Sequence, residues 1–166
     1  MQLPLFQAFE PSLLQKIVFR IVQQLGSVSK SKLTKLLYLL DWQEVRDARS
    51  VLTGCYYIFQ KDGPSATGLS EALEEMENHE VSLWFRGTVS IYSLGEDIRC
   101  SMELTEEVAR KVDLLLERYG ELTNHQIKTQ TYLTEPMRDI LRRQRLGERM
   151  LNHPLFEGWI SHYSKE

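Results

Sequence analysis

The stretch Ser29-Lys-Ser-Lys-Leu-Thr-Lys-Leu-Leu-Tyr-Leu-Leu-Asp-Trp42 restricts the fold of this chain more than any other. Leu33, Leu36, Leu37 and Leu40 recur at the spacing of one helix face, and Tyr38, Leu39 and Trp42 carry the apolar surface round a second side. Lys32, Lys35 and Asp41 leave only a narrow polar strip. A helix this apolar has to be covered from two directions, so it belongs at the centre of a fold. Ser29 or Ser31 is suited to cap it, and the pattern predicts that it continues to about Ala48.

The segments around it supply the cover. Pro11-Ser-Leu-Leu-Gln15 has the spacing of a capping box and opens a helix to about Leu25, whose buried face is Leu14, Val18, Ile21, Val22 and Leu25 and whose end is Gly26. Leu52 to Gln60, rich in β-branched and aromatic residues, predicts a strand closed by Asp62-Gly63-Pro64. A short amphipathic helix follows from Leu69 to about Asn78. The alternation of Val81, Leu83, Phe85, Val89 and Ile91, resumed by Ile98, Cys100 and Met102 beyond Gly95-Glu96, predicts a β-hairpin over 81–102 with a bend at Gly87.

Thr105 with Glu106 and Glu107 starts a helix that Gly120 ends, Thr123 to Gln126 repeats the capping box, and Pro136 begins a helix reaching about Gly147. Leu155, Phe156, Trp159, Ile160 and Tyr163 predict a last short helix within 152–163 that docks on the body. The chain also echoes itself. At one constant offset Val18 aligns with Val112, Ile21 with Leu115, Val22 with Leu116, Gly26 with Gly120, Ser29 with Thr123 and Tyr38 with Tyr132. The expected architecture is therefore a single α+β domain over 1–166, mainly helical. Two helix-turn-helix-like units surround the central helix, with a small antiparallel hairpin laid against them and a core over about 12–142.

At 166 residues and 42% hydrophobic, the chain can build one substantial core. A net charge of −3 argues against coating nucleic acid by charge alone. Cys55 and Cys100 form no Cys-x-x-Cys pair, the first residues lack the pattern of an export signal, and no apolar run approaches the ~18 residues of a membrane span. The expectation is a cytoplasmic protein.

Catalytic signatures are sparse. His79, His125, His153 and His162 have no metal-ligand spacing, and Gly63-Pro-Ser-Ala-Thr-Gly68 lacks the Gly-Lys-Ser/Thr of a phosphate loop and reads as a turn and helix cap. Asp41 with Glu44, or Asp62 with Glu71, have the spacing of carboxylate pairs but no accompanying His, Lys or metal cluster. The expectation is a protein that is not an enzyme and uses no cofactor and no metal. A DNA-binding alternative rests on Lys30, Lys32 and Lys35 at the start of a second helix, the 81–102 hairpin as a wing, and the basic residues Arg138, Arg142, Arg143, Arg145 and Arg149. The apolar character of Leu36, Leu37, Leu39 and Leu40 opposes it, because it buries the face a recognition helix would need.

Lys32-Leu-Thr-Lys-Leu-Leu-Tyr-Leu-Leu-Asp-Trp42, Tyr57 followed by Asp62-Gly63-Pro64, and Tyr119-Gly-Glu-Leu-Thr123 running to Thr131-Tyr-Leu-Thr-Glu-Pro136 occur in the order of landmarks of a known family. With them the chain resembles the Panacea domain of SocA-like antitoxins, as a divergent member. Asp62 stands where the family usually has an aromatic residue, and Tyr132 and Met137 replace its His and Trp. The resemblance implies a cytoplasmic bacterial or phage protein that neutralises a cognate protein toxin by direct binding, in some members as an adaptor to a protease. It implies no cofactor and no membrane, and it leaves self-association open. The expected partner contacts are Tyr57, Asp62, Gly63 and Pro64 in the strand and turn, with Lys35, Tyr38 and Trp42 on the second side of the central helix. Ordinary packing is the competing role at each of them.

Overall fold

A computed structural model describes residues 8–160. Six helices and five strands follow in the order α1 (Leu13–Leu25), β1 (Ser27–Ser29), α2 (Lys30–Ala48), β2 (Tyr56–Gln60), β3 (Gly63–Thr67), α3 (Leu69–Met76), β4 (Val81–Arg86), β5 (Val89–Leu94), α4 (Glu106–Tyr119), α5 (Asn124–Tyr132) and α6 (Glu135–Arg145). The protein is mixed α+β and mainly helical, with two small antiparallel sheets.

The helix starts obey local chemistry. Ser12 and Gln15 complete a capping box on α1, Thr123 and Gln126 complete another on α5, and the hydroxyls of Ser29 and Thr105 accept from the backbone of Lys32 and Val108. Gly26 ends α1 at φ +80°, a conformation that a residue with a Cβ rarely adopts. The central position of α2 is as expected: Leu33, Leu36, Leu37 and Tyr38 have no exposed surface, and Leu39, Leu40, Trp42 and Val45 are buried around them. The helix packs against α4, α5 and β3, while α1 packs against α3, α4 and β5. Arg20 of α1 forks onto Asp113 of α4 at 3.0 and 2.6 Å, and Lys111 of α4 reaches Glu44 of α2 at 2.9 Å.

The strands depart from the sequence pattern. Regular pairing in the 52–60 run begins only at Tyr56, because Leu52 and Thr53 are drawn onto Asp41 and Cys55 onto the Thr53 hydroxyl instead. Gly63-Pro64 is not the turn that closes the strand. The turn is Lys61-Asp62, and Gly63–Thr67 returns as β3 with Gln60 opposite Gly63 and Phe59 opposite Pro64. Proline fits there because β3 is an edge strand and its missing N–H breaks no ladder. Gly68 then starts α3.

The second hairpin turns at Gly87-Thr88, not at Gly95-Glu96, and pairs Val81–Arg86 with Val89–Leu94. Ile98, Cys100 and Met102 keep a period of two without being in a strand. Gly95 is placed by contact: a Cβ there would lie 1.9 Å from the His79 carbonyl oxygen, while its own N–H donates to Glu80 at 2.9 Å. Ser27–Ser29, too short to carry a pattern, pairs with β5 to make the sheet order β1-β5-β4.

The segment after α6 forms no helix through Ile160, and Tyr163 lies outside the described residues. Leu155 and Phe156 are buried in the same core as α2.

Candidate functional site

The seven residues singled out from the sequence divide into two groups. Lys35, Asp62, Gly63 and Pro64 meet at one cleft of about 230 Å³ between the first turns of α2 and the β2–β3 turn, together with Ser31 and Thr34. Pairing across the hairpin brings Gly63 and Pro64 back alongside α2, and Gly63 takes φ +114°, which a side chain would strain. Asp62 is exposed at the tip, whereas Gly63 and Pro64 are buried.

Lys35 is only 6% exposed, yet no carboxylate among the described residues lies within ion-pair distance of it. Its Nζ donates to Ser31 Oγ at 2.6 Å and to the Ser31 carbonyl at 3.4 Å. Burial pulls its pKa down, Lys128 adds to that, and Asp62 opposes both. Tyr132 adjoins Gly63, and Lys128 Nζ stands 5.7 Å from its ring centre. The cleft is thus a positively biased recess with one carboxylate at its rim.

Tyr38, Trp42 and Tyr57 are elsewhere and covered. Tyr38 shares a hydrogen bond of 2.7 Å with Thr134 Oγ1, and its ring stacks on Phe156 at 5.4 Å. Burial drives its pKa upward. Trp42 lies 6.2 Å from Phe156 and meets Trp159 edge to face at 5.2 Å. Tyr57 donates to Asp41 Oδ2 at 2.6 Å and packs edgewise on both Tyr38 and Phe156. The surface that these three aromatics would offer a partner is occupied by the chain's own tail.

The carboxylate pair of Asp41 and Glu44 does not form. Asp41 has no exposed surface and accepts from Leu52 and Thr53 backbone N–H groups, the Thr53 hydroxyl and Tyr57, while Glu44 turns to Lys111. Burial raises the Asp41 pKa, with those hydrogen bonds pulling the other way. Beside it, burial pushes the Cys55 thiol up to about 11, so it is held as a neutral thiol. Among the described residues, no group of three or more His, Cys, Asp or Glu could hold a metal ion.

The three lysines of the DNA-binding alternative are turned inward. Lys30 donates to Ser70 Oγ at 2.7 Å, Lys32 donates to the Gly120 carbonyl, and Lys35 is held by Ser31. Arg142 and Arg143 pair with Asp139 and Glu148. What the sequence did not single out is Phe156 with Trp159 as a cover, and Ser31, Lys128 and Tyr132 around the cleft. The aromatic spacing of the tail was visible, but nothing in it names the strand edge that receives it.

A family model described as "Antitoxin SocA-like, Panacea domain" matches residues 33–136, more than half of the chain. The match includes Lys35, Tyr38, Trp42, Tyr57, Asp62, Gly63 and Pro64, and ends as α6 begins. No curated protein and no solved structure matches the chain.

Proposed function

Because the chain belongs to the SocA-like antitoxin, Panacea-domain family, we propose that it neutralises a cognate protein toxin by direct binding, without chemistry of its own. The observation that carries this reading is the cleft at Lys35 and Asp62-Gly63-Pro64, whose lining lies inside the matched residues except for Ser31. A lysine buried with no carboxylate of the described residues in ion-pair contact, on the wall of an open recess, is suited to receive a polar group from another protein. The exposed Asp62 supplies a charge at the rim.

The finer features belong to the same proposal. One domain spans the chain, and the pairs α1–α2 and α4–α5 are related helix-turn-helix-like units, supported by the matching capping residues Ser29 and Thr123. The protein works in the cytoplasm. No described helix is long and apolar enough to cross a membrane. A protease-adaptor role, in which the bound toxin is handed on for degradation, would use the same toxin contact together with a second surface that meets the protease.

The test is co-expression with the product of the adjacent gene. Copurification and rescue from toxicity are expected. Asp62→Arg should weaken the complex about tenfold, equivalent to about 1.4 kcal/mol, while melting stays within a few degrees of the parent. An adjacent product that is neither toxic nor bound would overturn the proposal. Retention on DNA that falls steeply with salt would favour the DNA-binding alternative.

A further inference from the structure

The segment after α6 is seated like a docked peptide. The Asn152 N–H donates to the Phe59 carbonyl at 2.7 Å, the Phe59 N–H to the His153 carbonyl at 2.9 Å, and the Leu155 N–H to the Tyr57 carbonyl at 3.0 Å. Residues 152–155 therefore run antiparallel along the free edge of β2, with Pro154 opposite Ile58. Phe156 then enters a groove formed by Tyr38, Trp42 and Tyr57, where it is 3% exposed. Main-chain pairing at a sheet edge with an aromatic anchor in a pocket is a general mode of recognising an extended peptide. Here the occupant is visible, so the chemistry the groove accepts is known.

The same anchor occurs once more in the chain. Pro4-Leu5-Phe6 repeats Pro154-Leu155-Phe156, and an aromatic residue follows three positions on in both, Phe9 and Trp159. Phe9 packs against the core with the Arg99 guanidinium 3.9 Å from its ring centre, and Arg99 is fixed in turn by Glu80 and the Glu75 carbonyl. In the sequence the tripeptide ends three positions before Phe9. It supplies what the groove takes from the tail: a proline where no N–H is used, a leucine N–H for Tyr57, and a phenylalanine ring. Asn152 and His153 pair with β2 through backbone groups that Gln2 and Leu3 also possess, and the Asn152 side chain adds one acceptor, for Gln60, at 2.7 Å.

We propose that the groove at Tyr38, Trp42 and Tyr57 is an exchangeable docking site, and that its second occupant is the Pro4-Leu5-Phe6 segment of another copy of this chain. Reciprocal exchange fills both grooves and closes a two-fold dimer. The tail competes from within the same molecule, at an effective concentration on the order of millimolar, and so holds the chain monomeric when dilute. This inference stands apart from the toxin cleft and does not depend on it.

Sedimentation velocity of the full chain across about three decades of concentration tests it. Phe156→Ala should dimerise at least tenfold more tightly than the parent, and adding Phe6→Ser should return it to monomer. A Phe156→Ala chain that stays monomeric, or that still associates with Phe6→Ser, overturns the proposal. If Phe156→Ala fails to fold by circular dichroism, a synthetic peptide of residues 1–10 is titrated into the parent chain instead. Saturable shifts of the Trp42 and Trp159 indole N–H signals, absent with the Phe6→Ser peptide, support exchange. No shifts, or equal shifts with both peptides, overturn it.

Discussion

Asp41 places a carboxyl where water cannot reach it and receives four donors in place of solvent. The sign of its linkage follows from burial. A carboxyl whose folded pKa is raised binds its proton more readily in the native state, so its contribution to stability increases as pH falls through the folded pKa toward the unfolded value. Asp41→Asn should remove that component from the pH dependence of melting. It should also cost about 2 kcal/mol or more at neutral pH, because an amide has one acceptor oxygen for four donors. Urea unfolding of both chains at several pH values checks both. Glu80 behaves oppositely. Burial raises its pKa, but the Arg99 guanidinium and backbone N–H outweigh that and hold it below the ordinary value, so its stabilisation is lost as pH falls through the folded pKa. These roles were not legible in the sequence. Asp41 and Glu44 stood at helical spacing and suggested a pair, but spacing along a helix says nothing of Thr53, Tyr57 or Lys111, which decide where each carboxylate turns.

At the scale of elements, the helices were legible and the strands less so. Capping residues act within one turn of chain, so Ser12, Ser29, Thr105 and Thr123 announce their helices without tertiary help. Strand pairing depends on partners distant in sequence. Val81 to Leu94 forms the hairpin around Gly87, and the apparent turn at Gly95 is a close crossing of backbones beneath His79. Gly95→Ala is accordingly expected to destabilise the protein by about 2 kcal/mol or more, with hydrogen-exchange protection lost first in Val81–Leu94. Protection unchanged in β4 and β5 would show that the crossing yields easily. The candidate site was legible in the same partial way: Lys35 and Asp62-Gly63-Pro64 do meet, whereas Tyr38, Trp42 and Tyr57 lie beneath a segment whose path the sequence did not reveal. Trp42→Ala should therefore act through the fold, costing about 3–5 kcal/mol as other buried aromatic truncations do, and thermal unfolding of the variant measures it.

At the scale of the whole molecule, the residues that define the family and the residues that complete the core are different sets. The matched segment 33–136 omits α1, whose Ile17, Val18, Ile21 and Val22 have no exposed surface, and omits Met137, Ile140, Met150, Leu155 and Phe156, all buried in the same core. A fragment restricted to 33–136 should lack cooperative unfolding by circular dichroism and bind hydrophobic dyes, while residues 8–160 retain a single transition. The tail gives this a practical edge. Because Phe156 sits against Tyr38 and Tyr57, a fusion partner, affinity tag or protease cut placed between the end of α6 and the buried Met150 would bear on the latch that closes this groove. Changes made there to ease purification or detection would alter the surface that the protein presents and, under the exchange proposed above, its tendency to pair.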